Sequence, residues 1–253
     1  MNINQKEIVT MSPTTYKYVA QIPARIGSKR VQQKNIRILN GKPMIQYAIE
    51  ACKNVSRIDK IFVNSESDLI GQIAINNEVE YYKRKKYLSG DTIKQDEFNY
   101  DFIKNIDSEF IIMVNPVCPL IEPVDIDNAI TYYENHNIDT LLSVKKEQLH
   151  AFYQEKSLNF DVNELLPATQ DIPPVFICCW SIGIWNKKVF IEYYEKNGYA
   201  TLSGVVGQWV LDPKKSIKIS YEEDFLMAEH LLIARDKLRN SSKKDYKLQY
   251  YKG

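Results

Sequence analysis

The residues best suited to chemistry lie in one basic loop near the start of the chain. Four cationic side chains fall within ten residues, and these are Arg25, Lys29, Arg30 and Lys34. The small residues Gly27 and Ser28 lie between them. Backbone N–H groups in a short turn flanked by cations can hold a polyphosphate. The loop lacks the GxxxxGK[ST] spacing of a Walker A motif, so it either binds phosphate in another arrangement or is a solvated basic turn.

Other reactive side chains show no comparable clustering in the sequence. The three histidines, His136, His150 and His230, are far apart and have no metal-ligand spacing. The four cysteines include no CxxC pair, and adjacent Cys178 and Cys179 are expected to face opposite sides of a strand. We therefore expect buried free thiols and a cytoplasmic protein.

The composition argues against nucleic-acid and membrane functions. The chain of 253 residues has 33 basic and 32 acidic side chains, which gives a formal net charge of +1. The net charge is close to zero and the sequence has no nucleic-acid-binding motif. The lysine-rich runs at 83–86 and 243–244 are therefore interpreted as solvated surfaces. No segment approaches the roughly 18 consecutive apolar residues of a membrane span, and the polar residues 1–16 do not resemble a signal peptide.

The basic loop follows the first of several predicted strands. Apolar runs predict strands over 18–23, 60–63, 110–114 and 140–144. Helical periodicity predicts helices over 44–52, 68–77, 95–106, 124–133 and 222–238. This alternation predicts an α/β fold, a three-layer sandwich with a mostly parallel, Rossmann-like sheet. Ligands bind such sheets beyond the carboxyl ends of the strands, which is where the basic loop lies.

We predict a single domain over 18–238. Residues 1–17 are interpreted as an irregular N-terminal extension, and 239–253 as a loose polar tail. Residues 145–207 have few helical patterns, several aromatic side chains and three prolines. That segment is predicted to be an excursion that forms a dimer interface, because a solvent-facing arm with this content would expose an apolar patch.

The residues around the loop match a known family. The stretch IPARIGSKRVQQKNIRILNGKPMIQYAIEA, over 22–51, resembles the opening of the acylneuraminate (CMP-sialic acid) cytidylyltransferases and, more distantly, of the CMP-Kdo synthetases. Arg84, with the LSGDT segment at 88–92, is similar to the family's arginine and LSxDT segment. Residues 115–120 stand at the family's QPTSPLR, and 222–229 resemble its closing EEDF..AE helix. The resemblance covers most of the chain.

This resemblance implies the nucleotide-diphospho-sugar transferase fold and the transfer of CMP from CTP to the hydroxyl of an acidic sugar, with release of pyrophosphate. It also implies Mg²⁺, a homodimer and a role in nucleotide-sugar biosynthesis for surface polysaccharide. Arg25 and Lys34 would be catalytic residues that contact the triphosphate, because fixed cations stabilise the charge of the transition state. The residues implied to bind the nucleotide are Ala24, Arg25, Gly27, Ser28, Lys29, Lys34, Asn35, Arg84, Ser89, Asp91 and Asn115.

The metal side of the family pattern is altered in this chain. Family members carry an Asp-Ile-Asp whose carboxylates hold magnesium, and Lys218 and Ser220 stand at those two positions. Hard Mg²⁺ prefers carboxylate oxygens. Either Asp224 or Glu223 supplies a ligand, or both begin a helix as caps and dipole partners. The metal ligands therefore stay open, and Lys218 is a candidate for part of the metal's electrostatic role.

The acceptor side of the pattern is altered as well. Thr169 and Ile177 stand where the family's arginines meet the sugar carboxylate, and Trp180 replaces the glycine of its Asn-Gly. We therefore expect a small acidic sugar other than ordinary sialic acid, with Gln170 and Trp180 in its pocket. Trp180 and Trp185 are alternatively core or interface aromatics.

Three functions remain open from the sequence. The first is an active CMP transferase with a changed acceptor. The second is a catalytically impaired homologue that binds nucleotide and acts as a regulatory or assembly protein, because both magnesium carboxylates are replaced. The third is a nucleotide-sugar enzyme on the same fold that uses another base or a phosphate-bearing acceptor, since base choice does not follow from the residues alone.

Overall fold

A computed structural model describes residues 15–240, which form one seven-stranded sheet with helices packed on it. The strands are β1 (Tyr16–Pro23), β2 (Ile38–Leu39), β3 (Lys42–Pro43), β4 (Lys60–Ser65), β5 (Glu80–Lys83), β6 (Ser108–Val114), β7 (Thr140–Glu147), β8 (Phe152–Tyr153), β9 (Lys156–Ser157), β10 (Val175–Asn186) and β11 (Val206–Val210). The helices are α1 (Met44–Lys53), α2 (Asp68–Asn76), α3 (Gln95–Asn105), α4 (Pro123–Asn135), α5 (Lys187–Asn197) and α6 (Glu222–Asn240).

The central sheet is mostly parallel. Its strand order is β11-β7-β10-β6-β1-β4-β5, and β10 alone runs antiparallel to its neighbours among these seven described strands. The carboxyl ends of β1, β4 and β6 therefore lie at one edge, where Pro23 is paired with Asn64. Both β1 and β6 lie in the middle of the sheet, with a strand on each side. Most of their residues are buried on both faces, which suits their nearly continuous apolar sequences. The predicted α/β fold with a mostly parallel sheet is confirmed.

Helices cover both faces of this sheet. On one face, α1, α2 and α4 pack their apolar sides into a core that contains Ile49, Ile70 and Ile130. On the opposite face, α3 and α5 contribute Phe102 and Phe190 to a second core. The side chains of a strand alternate between faces, so neighbouring residues of β1 and β6 serve the two cores in turn. The predicted three layers are therefore present.

A third apolar cluster places the C-terminal helix beside the basic loop. The helix α6 packs Phe225 and Leu232 against Leu39 of the β2–β3 ribbon and against Val31, which follows the loop. The guanidinium of Arg37 lies 4.2 Å from the centre of the Phe225 ring. The start of α6 and the segment that precedes it consequently border the loop after β1.

The structure corrects the predicted excursion over 145–207. The elements β10 and α5 and the first two residues of β11 fall within it, and both strands belong to the central sheet. The part outside the sheet is 148–174, which holds the β8–β9 ribbon and a 3-10 helix at Thr169–Asp171. Trp185 is fully buried in the core and is not an interface aromatic. The βαβ alternation does not predict β10, because an antiparallel strand between two others departs from that pattern.

The predicted ends of the domain are also corrected. Tyr16 and Lys17 begin β1 and are not part of an extension, because the Lys17 backbone N–H donates to Oδ2 of Asp59 at 2.8 Å. The helix α6 continues through the first two residues of the predicted tail. The predictions for 1–14 and 241–253 fall outside the described residues. Within the described part of the chain, no helix combines the length and apolar content needed to cross a bilayer.

Candidate functional site

A cleft of about 500 Å³ opens beyond the carboxyl ends of β1 and β6. Most of the predicted nucleotide-binding residues line it, namely Ala24, Arg25, Ser28, Lys29, Lys34, Asn35, Arg84 and Asn115. The other lining residues are Pro23, Arg30, Val31, Gln95, Phe98, Met113, Val117 and Ser220. The fold thus gathers residues from the loop after β1, from α3, from β6 and from the segment before α6. Two larger hollows, of about 560 and 730 Å³, lie beside α6 and contain none of the predicted site residues.

Arg25 is held in place by the segment after β5. Its Nη1 donates to the carbonyl oxygen of Ser89 at 3.3 Å and to Oδ1 of Asp91 at 2.9 Å. The Lys29 Nζ lies 2.5 Å from Oδ2 of the same carboxylate. Hydrogen bonds from Lys29 and Arg25 hold the pKa of the Asp91 carboxyl below its usual range. Ser89 and Asp91 therefore position the cations and do not line the cleft, and Gly27 lies exposed in the loop.

Lys34 approaches the cleft from the opposite end of the loop. It begins a 3-10 turn over Lys34–Ile36, and its Nζ donates to the carbonyl oxygen of Ile219 at 2.7 Å. Burial, together with the nearby charges of Arg30 and Lys218, lowers the pKa of Lys34 to about 8. An anion bound beside this amine would favour its charged form, which suits Lys34 to a phosphate.

Arg84 stabilises the start of the loop after β1 through hydrogen bonds to backbone carbonyls. Its buried guanidinium donates to the carbonyl oxygens of Ala24 and, at 2.9 Å, of Asn64. The same group lies 4.9 Å from the centre of the Phe98 ring. Burial lowers the pKa of Arg84 to about 10, although the Glu66 carboxylate, 3.9 Å away, opposes this change. Arg84 thus joins the ends of β1 and β4 behind the cleft.

Glu66 is a further anchor of the loop, and the sequence pattern assigns it no role. Its Oε1 accepts a hydrogen bond from the Ile26 backbone N–H at 3.0 Å, and its Oε2 accepts one from the Ser89 hydroxyl at 2.9 Å. Asn35 supports the same loop, because its Nδ2 donates to the carbonyl oxygen of Arg25 at 2.9 Å. The signal for Glu66 is its position directly after β4, at the edge where ligands bind such sheets.

Asn115 connects the cleft to β10. Its Nδ2 donates to the carbonyl oxygen of Trp180 at 3.2 Å. Its backbone N–H donates to the carbonyl oxygen of Ser181 at 2.9 Å. Trp180 has a φ of 55°, in the left-handed region that bulky residues rarely adopt. The pairing of β10 with β7 is irregular here, between Cys178 and Gly183. The backbone of Trp180 is therefore tied to a residue that lines the cleft.

The two predicted acceptor residues are placed differently by the structure. Trp180 is half-buried, and it neighbours the cleft through Asn115. Gln170 is exposed in the 3-10 helix outside the sheet, and it does not line the cleft. The structure therefore joins the backbone of Trp180 to the lining of the cleft, whereas Gln170 has no such contact, and neither side chain is part of that lining.

The structure offers no carboxylate site for the magnesium that the family pattern implies. Ser220 lines the cleft and Lys218 is exposed two residues before it. The Oδ2 of Asp224 accepts hydrogen bonds from the backbone N–H groups of Ser220 and Tyr221, each at 2.8 Å, so this carboxylate caps the start of α6. Glu223 lies exposed in the first turn of α6. Across residues 15–240, no three His, Cys, Asp or Glu side chains are grouped as a metal site. These residues do not fit Mg²⁺.

The fold and the cleft define a protein of the nucleotidyltransferase type. The solved structure of CMP:2-keto-3-deoxy-manno-octonic acid synthetase complexed with CTP aligns with a TM-score of 0.65, over 87% of this chain and 99% of that one. The two sequences are 14% identical, so this likeness shows a shared fold. Residues 19–172 match the profile of the cytidylyltransferase family. The chain belongs to the cytidylyltransferase family, which confirms the resemblance of its basic loop.

Three relatives are similar along most of this chain. The N-acylneuraminate cytidylyltransferase of Streptococcus agalactiae serotype V is 28% identical over 196 residues, which are 73% of this chain and 48% of that protein. That of Escherichia coli O18:K1:H7 is 30% identical over 84% of this chain and 51% of that protein. Post-translational flagellin modification protein B of Campylobacter coli is 26% identical over 89% of this chain and 97% of that protein. The chain spans about half the length of the two cytidylyltransferases.

Proposed function

We propose that the protein transfers CMP from CTP to the hydroxyl of an acidic sugar and releases pyrophosphate. The observation that carries this proposal is the convergence of Arg25 and Lys34 on a cationic cleft at the carboxyl edge of a cytidylyltransferase sheet. Two relatives are named N-acylneuraminate cytidylyltransferases, and the structural neighbour is a synthetase of a CMP-linked octonic acid. An acidic sugar is therefore the acceptor class that these similarities support.

The arrangement of cations suits cytidylyl transfer. In this reaction the acceptor oxygen forms a bond to the α-phosphorus of CTP, and the bond from that phosphorus to the bridging oxygen of pyrophosphate breaks. Negative charge gathers on the leaving pyrophosphate, where fixed cations stabilise it. Arg25 offers a planar fork of donors and Lys34 offers a point charge. Asp91 and the carbonyl of Ile219 hold these two groups in place before substrate arrives.

The acceptor is proposed to differ from ordinary sialic acid. The half-buried Trp180 is joined through its backbone carbonyl oxygen to Asn115, which lines the cleft. Ile177, which replaces an arginine of the family pattern, is 43% exposed on β10. The apolar and aromatic residues in this part of β10 favour contact with a less polar face of the sugar over contact with its carboxylate. Gln170 remains a proposed acceptor residue that would have to approach from the segment outside the sheet.

A homodimer is proposed from the apolar surface of 148–177. Its exposed large hydrophobic residues are Leu149, Phe152, Tyr153, Leu158, Val162, Leu165, Leu166, Phe176 and Ile177. Large exposed apolar patches on folded proteins are typical of interfaces. Because this segment leads into β10 and Trp180, a partner seated on it would lie close to the acceptor side of the cleft.

A second candidate function is nucleotide binding without transfer, in a regulatory or assembly protein. The absence of carboxylates from the described lining of the cleft favours it. A pyrophosphate-release assay with CTP and a panel of sugar acids separates the two functions, since turnover with any acceptor excludes the second. Running the same assay with UTP, GTP and ATP tests the further alternative of another base. Absence of both CTP binding and turnover would overturn the proposal.

A further inference from the structure

Every charged side chain among the described residues that line the cleft is a cation. Five of its side chains carry positive charge, and these are Arg25, Lys29, Arg30, Lys34 and Arg84. None of its described lining residues is Asp or Glu. A site built to hold Mg²⁺ needs hard oxygen ligands and negative charge, and this lining offers the opposite. Its charge instead complements a triphosphate directly.

Three carboxylates that contact the loop after β1 or the segment before α6 already have partners. Asp91 accepts hydrogen bonds from Arg25 and Lys29 on the outer side of the loop. Glu66 accepts from the Ile26 backbone N–H and the Ser89 hydroxyl. Releasing either group to a metal would detach the loop that positions the cations. Asp224 is in the same situation, because its carboxylate caps the first turn of α6.

Lys218 lies in the segment that precedes α6, two residues before Ser220. Lys218 is exposed, Ile219 is fully buried, and Ser220 is half-buried and lines the cleft. The side chain of Lys218 is outside the lining of the cleft and lies at its border. The Ile219 carbonyl accepts the hydrogen bond from Lys34, which brings the backbone beside Lys218 next to that amine. The charge of Lys218 also contributes to the lowered pKa of Lys34, as expected for close cations.

We infer that Lys218 binds the triphosphate of the nucleotide, and that the cleft takes up this nucleotide without a divalent cation coordinated by the protein. The inference rests on the proposed function, in which the cleft binds CTP. Lys218 then neutralises phosphate oxygens that a carboxylate-held metal would otherwise neutralise.

Calorimetric titration with CTP, once in EDTA and once in Mg²⁺, tests this inference. Wild type is expected to bind CTP with nearly the same affinity in both buffers. The Lys218→Ala variant is expected to lose roughly tenfold or more in affinity in EDTA, because a charged hydrogen-bonding partner is removed. Lys218→Arg keeps the charge and should retain most of the affinity. Lys214→Ala is the matched control, since Lys214 is an exposed lysine of the same segment that lines another hollow.

Each outcome of these titrations decides the inference. Binding by wild type in Mg²⁺ but not in EDTA would overturn it and leave the proposed function standing, as would equal affinities of wild type and Lys218→Ala. Failure of wild type to bind CTP in either buffer would overturn the proposed function as well. The wild-type comparison needs no variant, so a folding defect in Lys218→Ala would not rescue the inference.

Discussion

The amine of Lys34 donates a 2.7 Å hydrogen bond to the carbonyl oxygen of Ile219, 185 residues further along the chain. This contact joins the loop after the first strand to the segment before the last helix. It holds a partly buried cation at the edge of the cleft without neutralising its charge. A site of this kind is poised for an anion, and its affinity should depend on the protonation of one lysine.

CTP affinity is expected to fall as the pH rises above about 8. The pKa of Lys34 is lowered to about 8 in the folded protein, so its amine is charged below that pH and increasingly neutral above it. Because each pH unit above the pKa costs about 1.36 kcal/mol, binding at pH 9.5 should be weaker by up to about 2 kcal/mol. Calorimetry between pH 7 and 9.5 measures this, and Lys34→Arg, which keeps its charge, should show a flatter profile. An unchanged affinity of wild type across this range would contradict the lowered pKa or the phosphate contact.

The variants Arg25→Ala and Lys34→Ala should each weaken CTP binding by about 1.5–3 kcal/mol, or roughly ten- to a hundredfold, because each removes a charged partner of the phosphates. Lys29→Ala should have a smaller effect, since its side chain is 78% exposed and is paired with Asp91. Titration calorimetry gives the affinities, and thermal unfolding checks that the fold is retained. If Lys29→Ala were as damaging as the other two, the assignment of roles within the loop would be wrong.

Trp180→Gly should be more stable than Trp180→Ala, by about 1 kcal/mol, because a φ of 55° strains any residue with a Cβ. At a position with ordinary backbone angles the order is reversed, since glycine loses more entropy on folding. Denaturant unfolding measures the difference. Both variants should raise the KM for the acceptor and leave CTP affinity unchanged. A weaker CTP affinity in both would instead assign Trp180 to the nucleotide.

The protein is expected to form a homodimer through 148–177. Light scattering at micromolar concentration should give twice the chain mass. Leu165→Glu combined with Leu166→Glu should produce monomers, because Leu165 is 95% exposed in this apolar surface. Leu69→Glu is the control, since Leu69 is an exposed residue of α2 outside the segment. A wild-type monomer, or a dimer that survives the double substitution, would show that this surface is not the interface.

The sequence predicts the parts of the site that are local in the chain. Arg25 and Lys34 belong to one loop directly after an apolar strand, so their type and spacing suffice to place them at the ligand edge. The partners of these cations are distant in sequence. The Ile219 carbonyl has no sequence signal, and the pairing of Asp91 with Arg25 is found only in the folded chain. Glu66 is missed for the same reason, because its partners lie on two separate loops.

Elements of the fold are predictable from the sequence where one hydrophobic periodicity, of a strand or of a helix, dominates. Continuous apolar runs identify β1, β4, β6 and β7, and helical spacing identifies five of the helices. The strand β11 and the helix α5 escape prediction, because aromatic sequence around them hides their periodicity. The strand β10 is anticipated only as a strand at Cys178 and Cys179, without a place in the sheet. The strand β5 is a short edge strand with charged ends, EYYK, which has no apolar run to detect.

The most direct test of the proposed function follows the α-phosphorus of labelled CTP in the presence of a panel of acidic sugars. If the cleft performs cytidylyl transfer, wild type will place the label on one of these sugars and release one pyrophosphate for each product formed. The Arg25→Ala variant will do so far more slowly. Label that stays in CTP with every acceptor, or that appears in free CMP alone, would contradict the assignment of this protein as a CMP-sugar-forming transferase.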